Sequence, residues 1–521
     1  MTAFGEKSDG PLVSVLVPTF NRRRYLAEAL ASLVRQTYPH FEAFIINDGG
    51  ERVDDVVASF NDPRLTLLER RENRGKAHSL NQALRHARGK YVAYLDDDDL
   101  YYPMHLARLV EALETQAECQ AAYTDLYKVH CRLLPDGSRQ VLGKIVNITR
   151  DFDRFLLCHF NHVLHVSLMH RRDLLDKTGP YDENLRVMID WDMTRRLSFF
   201  TDFRHLTEVT GEFYGPVGDC DRLSYRLRLD KASYVQQVMS IRAARPPKPW
   251  PKMPDLSIVL LADALDAAAR QTLLQMRAWT FMPYEVYLPV PDGRPAGGVN
   301  PVPNVVPVPV AAGTSRQARL DAALARTQGD CVAVLVPGGF RAEPLWIENP
   351  LHAALHHAGG VAFSVGRPAG EWPAVVLRRA DLVRSRQARA TLSLRASLAA
   401  AGIAVREPAP SERPFQFDAL LQQAEALERE GQWVGAARIY GQLESRGANR
   451  RWMRERTARA LYRAGGRDAD ARRLCTDVNQ RGPTVSTLQL EAGLLRRAGD
   501  CAAAAALLED AERMLSGTVP V

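Results

Sequence analysis

The chain has 521 residues with 46% hydrophobic and 25% charged side chains, the balance of an ordinary folded protein. That length exceeds what one core supports, so about three domains are expected. A net charge of +7 without any Lys/Arg block excludes a dedicated nucleic-acid binder; it suits anionic partners such as nucleotide diphosphates or a lipid surface, or merely solvated arginine faces.

No run approaches the ~20 apolar residues that span a bilayer, so no transmembrane segment is expected. The start, MTAFGEKSDG, lacks the basic and apolar regions of a signal peptide. Cys119, Cys131, Cys158, Cys220, Cys331, Cys475 and Cys501 are scattered with no C-x-x-C pair, which reads as reduced packing cysteines of a cytoplasmic protein.

In chain order, VSVLVPTF (13–20) predicts a strand and leads into a helix over 22–36. FEAFIIND (41–48) and RLTLLER (64–70) are further strands, and a helix over 76–88 feeds the strand KYVAYLD (90–96). Strands alternating with helices imply an α/β fold with a mostly parallel, doubly wound sheet. Ligands of such sheets bind beyond the carboxyl ends of the strands. Pro18-Thr19, Asp48-Gly49 and the run Asp96-Asp97-Asp98-Asp99 all fall at such ends.

Proline-rich seams at Ala244 to Pro254 and Pro408 to Pro414 divide the chain; the first, with five prolines in eleven residues, is incompatible with helix or central strand. The expected domains are 1–245, 255–407 and 415–515. The second repeats the first: residues 13–42 line up without gaps on 256–285, with Ser14 on Ser257, Leu30 on Leu273 and Thr37 on Thr280. ALRHARGKYVAYLDDDD (83–99) likewise falls on ALARTQGDCVAVLVPGG (323–339), and LMHRRDLL (168–175) more weakly near VVLRRADLV (375–383). The third segment repeats at about 34 residues. Ala424, Ala458 and Ala492, Leu427, Leu461 and Leu495, and Gly431, Gly465 and Gly499 share that spacing. Helix-pair repeats of this period resemble tetratricopeptide repeats and predict an all-α solenoid.

Four consecutive carboxylates after an apolar strand repel one another unless a cation neutralises them. Aspartate oxygens suit Mg²⁺ or Mn²⁺, which commonly bridge carboxylates and substrate phosphates. Acids one residue apart, as in Asp96-x-Asp98, suit a ribose hydroxyl and a metal. A solvated acidic turn is the plain alternative.

VSVLVPTFNR, INDGG, ENRGKAHSLNQAL, GKYVAYLDDDDL and GPYDENLRVMIDWDMTRRL together resemble the inverting family 2 glycosyltransferases of GT-A fold, over residues 11–215. The resemblance implies a nucleoside diphosphate sugar as donor and Mn²⁺ or Mg²⁺ as cofactor. It implies that Pro18 and Thr19 line the nucleobase end, that Asp48 hydrogen-bonds the base, and that Asn73, Gly75 and Lys76 lie near the nucleotide. Asp96 and Asp98 match the two acids of the family's D-x-D motif. Asp98 is the first choice of metal ligand, supported by Asp96 and Asp99, while Asp96 and Asp97 also serve the nucleotide. The family often shows Glu-Asp where this chain has Ile189-Asp190; the glutamate is missing, and Asp190 is carried over as the general base. Asp192 lies about 200° further around that helix and reads as structural.

Weaker candidates are His159, His162, His165 and His170, read as alternate residues of a strand that lines the acceptor cleft or as structural histidines, the latter being commoner. Trp191 suits a sugar ring or the core, Arg222 a phosphate, and Arg22-Arg23-Arg24 the nucleotide edge or a solvated face. In the second copy Thr19 becomes Ala262, Asp48 becomes Pro291 beside Asp292, and Asp96 to Asp99 become Val336, Pro337, Gly338 and Gly339. The apolar framework survives without cation-binding groups, so this copy is expected to be a non-catalytic GT-A-like domain.

The expectation is an inverting, metal-dependent glycosyltransferase with a glycan, lipid-linked or protein acceptor. The resemblance implies bacterial surface polysaccharide or glycoconjugate synthesis, in the cytoplasm or peripherally at the inner membrane. The repeats would dock a protein partner. The rivals are a sugar nucleotidyltransferase, disfavoured because PTFNRRR lacks the expected glycines, and a non-catalytic repeat scaffold.

Overall fold

The computed structural model describes residues 10–146, 149–216, 231–263, 265–291, 304–338, 342, 345–366, 370–388, 392–409, 412, 416–445, 450–480 and 483–516. Cys220, Arg222, Asp292 and Gly339 lie outside the described residues. Two compact units are present: Met1–Asp153, Asn161–Tyr234 and Phe417–Val521 make the first, and Arg154–Phe160 with Val235–Gln416 the second.

Among the described residues, nine strands build the first unit's sheet. They are β1 (Val13–Thr19), β2 (Phe41–Asn47), β3 (Leu65–Glu69), β4 (Tyr91–Tyr94), β5 (Leu100–Tyr101), β6 (Cys119–Leu133), β7 (Arg139–Val146), β8 (Leu168–Arg171) and β9 (Asp202–Pro216). Their order is β3-β2-β1-β4-β8-β6-β9-β5, with β7 paired to β6. β1 pairs in parallel with both β2 and β4, and β2 in parallel with β3. β1 is apolar on alternating and intervening positions alike, as a strand covered on both faces must be. The helix Arg23–Val34 buries Leu26, Ala29, Leu30 and Leu33, the spacing of one helical face, against that sheet.

The expected strands recur with ends shortened by one or two residues. The trimmed positions leave the ladder to turn at the carboxyl edge, where the Asp48 N–H donates to the Thr19 carbonyl (3.0 Å) and Leu95 N–H to the Leu16 carbonyl (3.0 Å).

The histidine-rich stretch corrects its expectation. It is not one strand: the helix Arg154–His159 is followed by a 3₁₀ turn at His165–Ser167, and only Leu168–Arg171 is extended. His165 stacks on Tyr94 with ring centroids 3.9 Å apart, and His170 Nε2 bonds Tyr94 Oη at 2.7 Å. Both rings are buried, and burial pushes their pKa values down to about 3 and about 4. They are neutral packing groups.

In the second unit, β10 (Leu256–Leu260), β11 (Tyr284–Pro291), β12 (Val305–Val310), β13 (Cys331–Leu335), β14 (Val361–Ser364), β15 (Val375–Arg378) and β16 (Ala404–Arg406) run in the order β12-β11-β10-β13-β15-β14-β16. The first five places repeat β3-β2-β1-β4-β8, parallel and antiparallel pairs included. Register repeats as well: Val13 faces Phe41 across β1 and β2, and Leu256 faces Tyr284 across β10 and β11, positions that the sequence alignment equates. One local device recurs too. The Gly89 N–H donates to Ser14 Oγ (2.9 Å), and the Gly329 N–H to Ser257 Oγ (3.1 Å).

Among the described residues after 415 there are three helix pairs: Gln416–Arg429 with Trp433–Ser445, Arg450–Ala464 with Asp468–Gln480, and Val485–Arg497 with Cys501–Ser516. Ala424, Ala458 and Ala492 are buried where helices approach, and Gly431, Gly465 and Gly499 turn each pair with positive φ of 72°, 73° and 86°. The last pair packs on the first sheet: Tyr127 of β6 donates through its hydroxyl to the Pro483 carbonyl, and Met514 joins Tyr127, Val129, Cys131 and Tyr214 in one apolar cluster. Among the described residues no helix is long and apolar enough to cross a membrane.

Candidate functional site

The carboxyl ends of β1, β2 and β4 meet at one edge, which is where the polar side chains gather. Thr19 ends β1 and donates through Oγ1 to Asp97 Oδ2 at 2.8 Å; both side chains are buried. Arg22, capping the next helix, reaches Asp97 Oδ1 at 3.1 Å and Asp98 Oδ2 at 2.9 Å. Lys76 opens the helix Lys76–His86 and places Nζ 2.5 Å from Asp96 Oδ1.

Asp48, buried just after β2, accepts from the backbone N–H of Arg74 (3.0 Å) and Gly75 (2.8 Å) and pairs with Arg70 at 3.0 Å. It therefore fixes the loop that precedes Lys76. Gly75 has a φ of 92° at the start of that helix, Pro18 is half-buried, and Asn73 is exposed.

Asp96, Asp98 and Asp99 each offer a carboxylate oxygen within 4.8 Å of the others, the one such grouping of three or more ligand-type side chains among the described residues. Hard oxygen donors of this kind fit Mg²⁺ or Mn²⁺. Asp99 is held by the Tyr214 N–H at 3.1 Å, and the Asp98 carbonyl accepts from Arg139 at 2.7 Å. Arg139 is itself buried, its guanidinium 3.6 Å from the Tyr214 ring centre and 4.5 Å from that of Tyr25. A cation stacked between two rings makes a rigid floor under the acidic turn.

The electrostatics are uneven across the run. Burial raises the Asp97 carboxyl to about 6, with Arg22 opposing and Asp98 adding to the rise. Burial also works against the Asp96 charge, but the charge and hydrogen bond of Lys76 outweigh it and hold that group below the ordinary carboxylate range. Arg22 is pushed up: burial lowers it, and Asp98 and Asp97 more than compensate.

Asp190 is the second residue of the helix Ile189–Leu197, entered through Met188 in the left-handed region with φ 57°. Its Oδ2 accepts from Asn161 Nδ2 at 2.9 Å. Burial raises its pKa, Lys76 lowers it, and Asp96 raises it again, so the base candidate lies within the field of the acidic edge. Asp192 instead pairs with Arg196 at 2.6 Å and is buried, as a structural group would be. Trp191 is 4% exposed and belongs to the core rather than to a sugar face.

Three partners escaped sequence reasoning: Arg70 on Asp48, Arg139 under Asp98, and Asn161 on Asp190. A basic residue directly after β3 was a usable hint for Arg70; neither of the other two carries any signal in spacing. A separate cavity of about 450 Å³, lined by Phe41, Glu42, Phe44, Arg64 and Arg88, opens at the amino ends of the strands and holds none of these groups.

In the second unit the corresponding edge is built differently. Arg319 is buried and donates to the Ala262 carbonyl at 2.9 Å, pairing with Asp263 at 3.1 Å. An internal guanidinium thus stands at the end of β10, the position that Thr19 holds in β1.

Residues 14–175 match the family model described as Glycosyl transferase family 2. An uncharacterized glycosyltransferase, YwdF of Bacillus subtilis (strain 168), is 28% identical over 184 residues, covering 35% of this chain and 67% of that protein. Protein CgeD of the same organism is 29% identical over 221 residues, covering 39% of this chain and 50% of its own length. WcaA of Escherichia coli (strain K12), a putative colanic acid biosynthesis glycosyl transferase, is 35% identical over 102 residues, covering 19% and 37%. The chain thus spans from half to about two thirds of the first two relatives.

Among solved structures, S. aureus TarS 1-349 in complex with UDP is similar with a TM-score of 0.35 and 20% identity, over 44% of this chain and 65% of that one. The mannosyltransferase PcManGT from Pyrobaculum calidifontis, in complex with GDP-Man and Mn2+, has a TM-score of 0.33 and 24% identity, over 46% and 67%. The sequence matches support a glycosyltransferase domain of family 2 over residues 14–175. Asp190 lies beyond that matched stretch.

Proposed function

We propose that the family 2 glycosyltransferase domain moves a sugar from a nucleoside diphosphate donor to an acceptor hydroxyl with inversion, using Asp190 as general base. The observation that carries this reading is the charge chain at the strand ends: Lys76 pairs with Asp96 and its field reaches Asp190. The donor side and the acceptor side of the reaction then share one edge.

Thr19, Pro18 and Asp48 line the nucleotide end, where Asp48 also holds the 73–76 loop in place. Asn73, Gly75 and Lys76 present a helix start and an ammonium to the diphosphate, a favourable setting for anionic oxygens. Asp96 and Asp97 serve the nucleotide; Asp98, with Asp96 and Asp99, would hold Mg²⁺ or Mn²⁺. When bound, that ion supplies positive charge to the leaving diphosphate. Asn161 donates to Asp190 Oδ2 and orients the carboxylate that takes the acceptor's proton. The acceptor oxygen bonds to the anomeric carbon as the carbon–phosphate oxygen bond breaks, the proton passes to Asp190, and the nucleoside diphosphate departs. Proton removal of this kind typically contributes about 10²–10⁴-fold.

The acceptor is a glycan, lipid-linked or protein hydroxyl, in the synthesis of a bacterial surface polysaccharide or glycoconjugate on the cytoplasmic side. The 1–245 segment is the catalytic domain. Residues 255–407 form a second GT-A-like copy without catalysis, since Val336, Pro337 and Gly338 offer no carboxylate. Residues 415–515, of tetratricopeptide type, dock a protein partner.

Calorimetry with UDP-, GDP- and dTDP-sugars, with and without Mn²⁺, tests the donor reading; binding of none of them refutes it. Asp190→Asn should keep donor affinity while turnover drops by about 10²–10⁴-fold. Unchanged turnover would move the base elsewhere.

A further inference from the structure

Three consecutive arginines open the first long helix, and they do three different things. Arg23 reaches Asp55 and the Arg52 carbonyl (2.8 Å), and Arg24 the Asp136 carbonyl (2.9 Å). Arg22 alone of the three turns onto the acidic run, with NH1 on both Asp97 and Asp98.

Its backbone is fixed. The Arg22 carbonyl accepts from the Leu26 N–H at 2.9 Å, and the preceding Asn21 sits in the left-handed region with φ 54°, its Oδ1 accepting from the Glu51 N–H at 2.8 Å. The side chain remains 31% exposed, so rotation about its own bonds frees it without moving the helix. The Asp98 oxygen it contacts belongs to one of the three carboxylates that converge. A guanidinium and a divalent cation cannot both neutralise that oxygen at full strength.

The second copy supplies an independent observation. The position aligned with Arg22 is Leu265, and those aligned with Asp97 and Asp98 are Pro337 and Gly338. Leu265 is buried at the start of its own helix region. Where the acids are absent the arginine is absent with them, although Arg319 shows that this edge accommodates a guanidinium.

We propose that Arg22 is a built-in counterion of the metal site: it neutralises Asp97 and Asp98 until the donor arrives, then yields Asp98 to the divalent cation and turns to the diphosphate. This rests on the metal–diphosphate reading above. Arg22 thereby makes metal capture depend on the nucleotide and belongs to donor binding as a positioning residue.

The test uses the full chain, stripped of metal. Mn²⁺ is titrated by calorimetry without nucleotide, and UDP and GDP are titrated separately in EDTA. Arg22→Gln and Arg22→Met, two neutral variants of different shape, should bind Mn²⁺ about tenfold more tightly than the parent and the nucleotide about tenfold more weakly. Arg22→Lys should stay within about threefold of the parent on both measures. Opposite signs are the signature, because a damaged pocket weakens both. Mn²⁺ affinity that is unchanged or weaker in the two neutral variants overturns the inference while leaving the metal site standing. Failure of the parent to bind Mn²⁺ with or without UDP or GDP overturns the metal reading and this inference together.

Discussion

Asp190 illustrates how much a single carboxylate depends on neighbours distant in sequence. Burial raises its pKa against the pull of Lys76, and Asn161 donates to its charged form. A general base works only when deprotonated, so activity should fall as pH drops through this raised value. The acidic limb of kcat/KM is therefore expected above the ordinary carboxylate range of about 4. Asn161→Ala removes a donor that favours the charged carboxylate, which raises the pKa further. The limb in that variant should move to still higher pH, with kcat reduced by about tenfold and donor affinity kept. A pH–rate profile that does not move would leave Asn161 with a merely structural part. The motif around Asp190 was legible from its resemblance, but Asn161 was not, because no local rule links an asparagine before a 3₁₀ turn to a helix that begins well downstream.

At the level of elements, the two sheets are set by the same small devices. Gly89 and Gly329 each let a strand start pass close to a serine: a Cβ on Gly89 would lie 2.6 Å from the Ser14 nitrogen, and one on Gly329 2.4 Å from the Asp255 carbonyl oxygen. Backbone atoms at that range cannot step aside cheaply. Gly89→Ala and Gly329→Ala should each cost about 1–3 kcal/mol, read as a shift in the thermal or denaturant midpoint. A neutral result at either position would mean that the strand start relaxes freely. Strand positions here were readable because apolar runs of strand length alternated with amphipathic helices. Their exact ends were not, since Asp48 and Leu95 leave the ladder to bond β1 carbonyls at the edge. The histidine-rich stretch misled for a related reason: His165 stacks on Tyr94 and meets Tyr181 edge-on, contacts made across the fold, and it sits in a 3₁₀ turn rather than a strand.

For the molecule as a whole, one cation site per chain is expected. The first unit carries the acidic run, whereas the second has Val336, Pro337 and Gly338 at those places and Arg319 at the strand end. Calorimetric titration with Mn²⁺ in the presence of nucleotide should give a stoichiometry near one, and Asp98→Asn should abolish it; a value near two would assign the second copy a site of its own.

The line-up of residues 13–42 on 256–285, the 34-residue spacing of the last segment and the acidic run at a strand end were all present in the sequence. Each is a matter of period or neighbourhood along the chain, and local burial patterns obey period. Tertiary structure decided which of three adjacent arginines faces the acids, which asparagine holds Asp190, and that the last helix pair packs on Tyr127. Those choices depend on distant segments meeting at one edge of a sheet. Charge pairing and hydrogen bonding act over a few ångströms in space, and spacing along the chain does not encode that proximity.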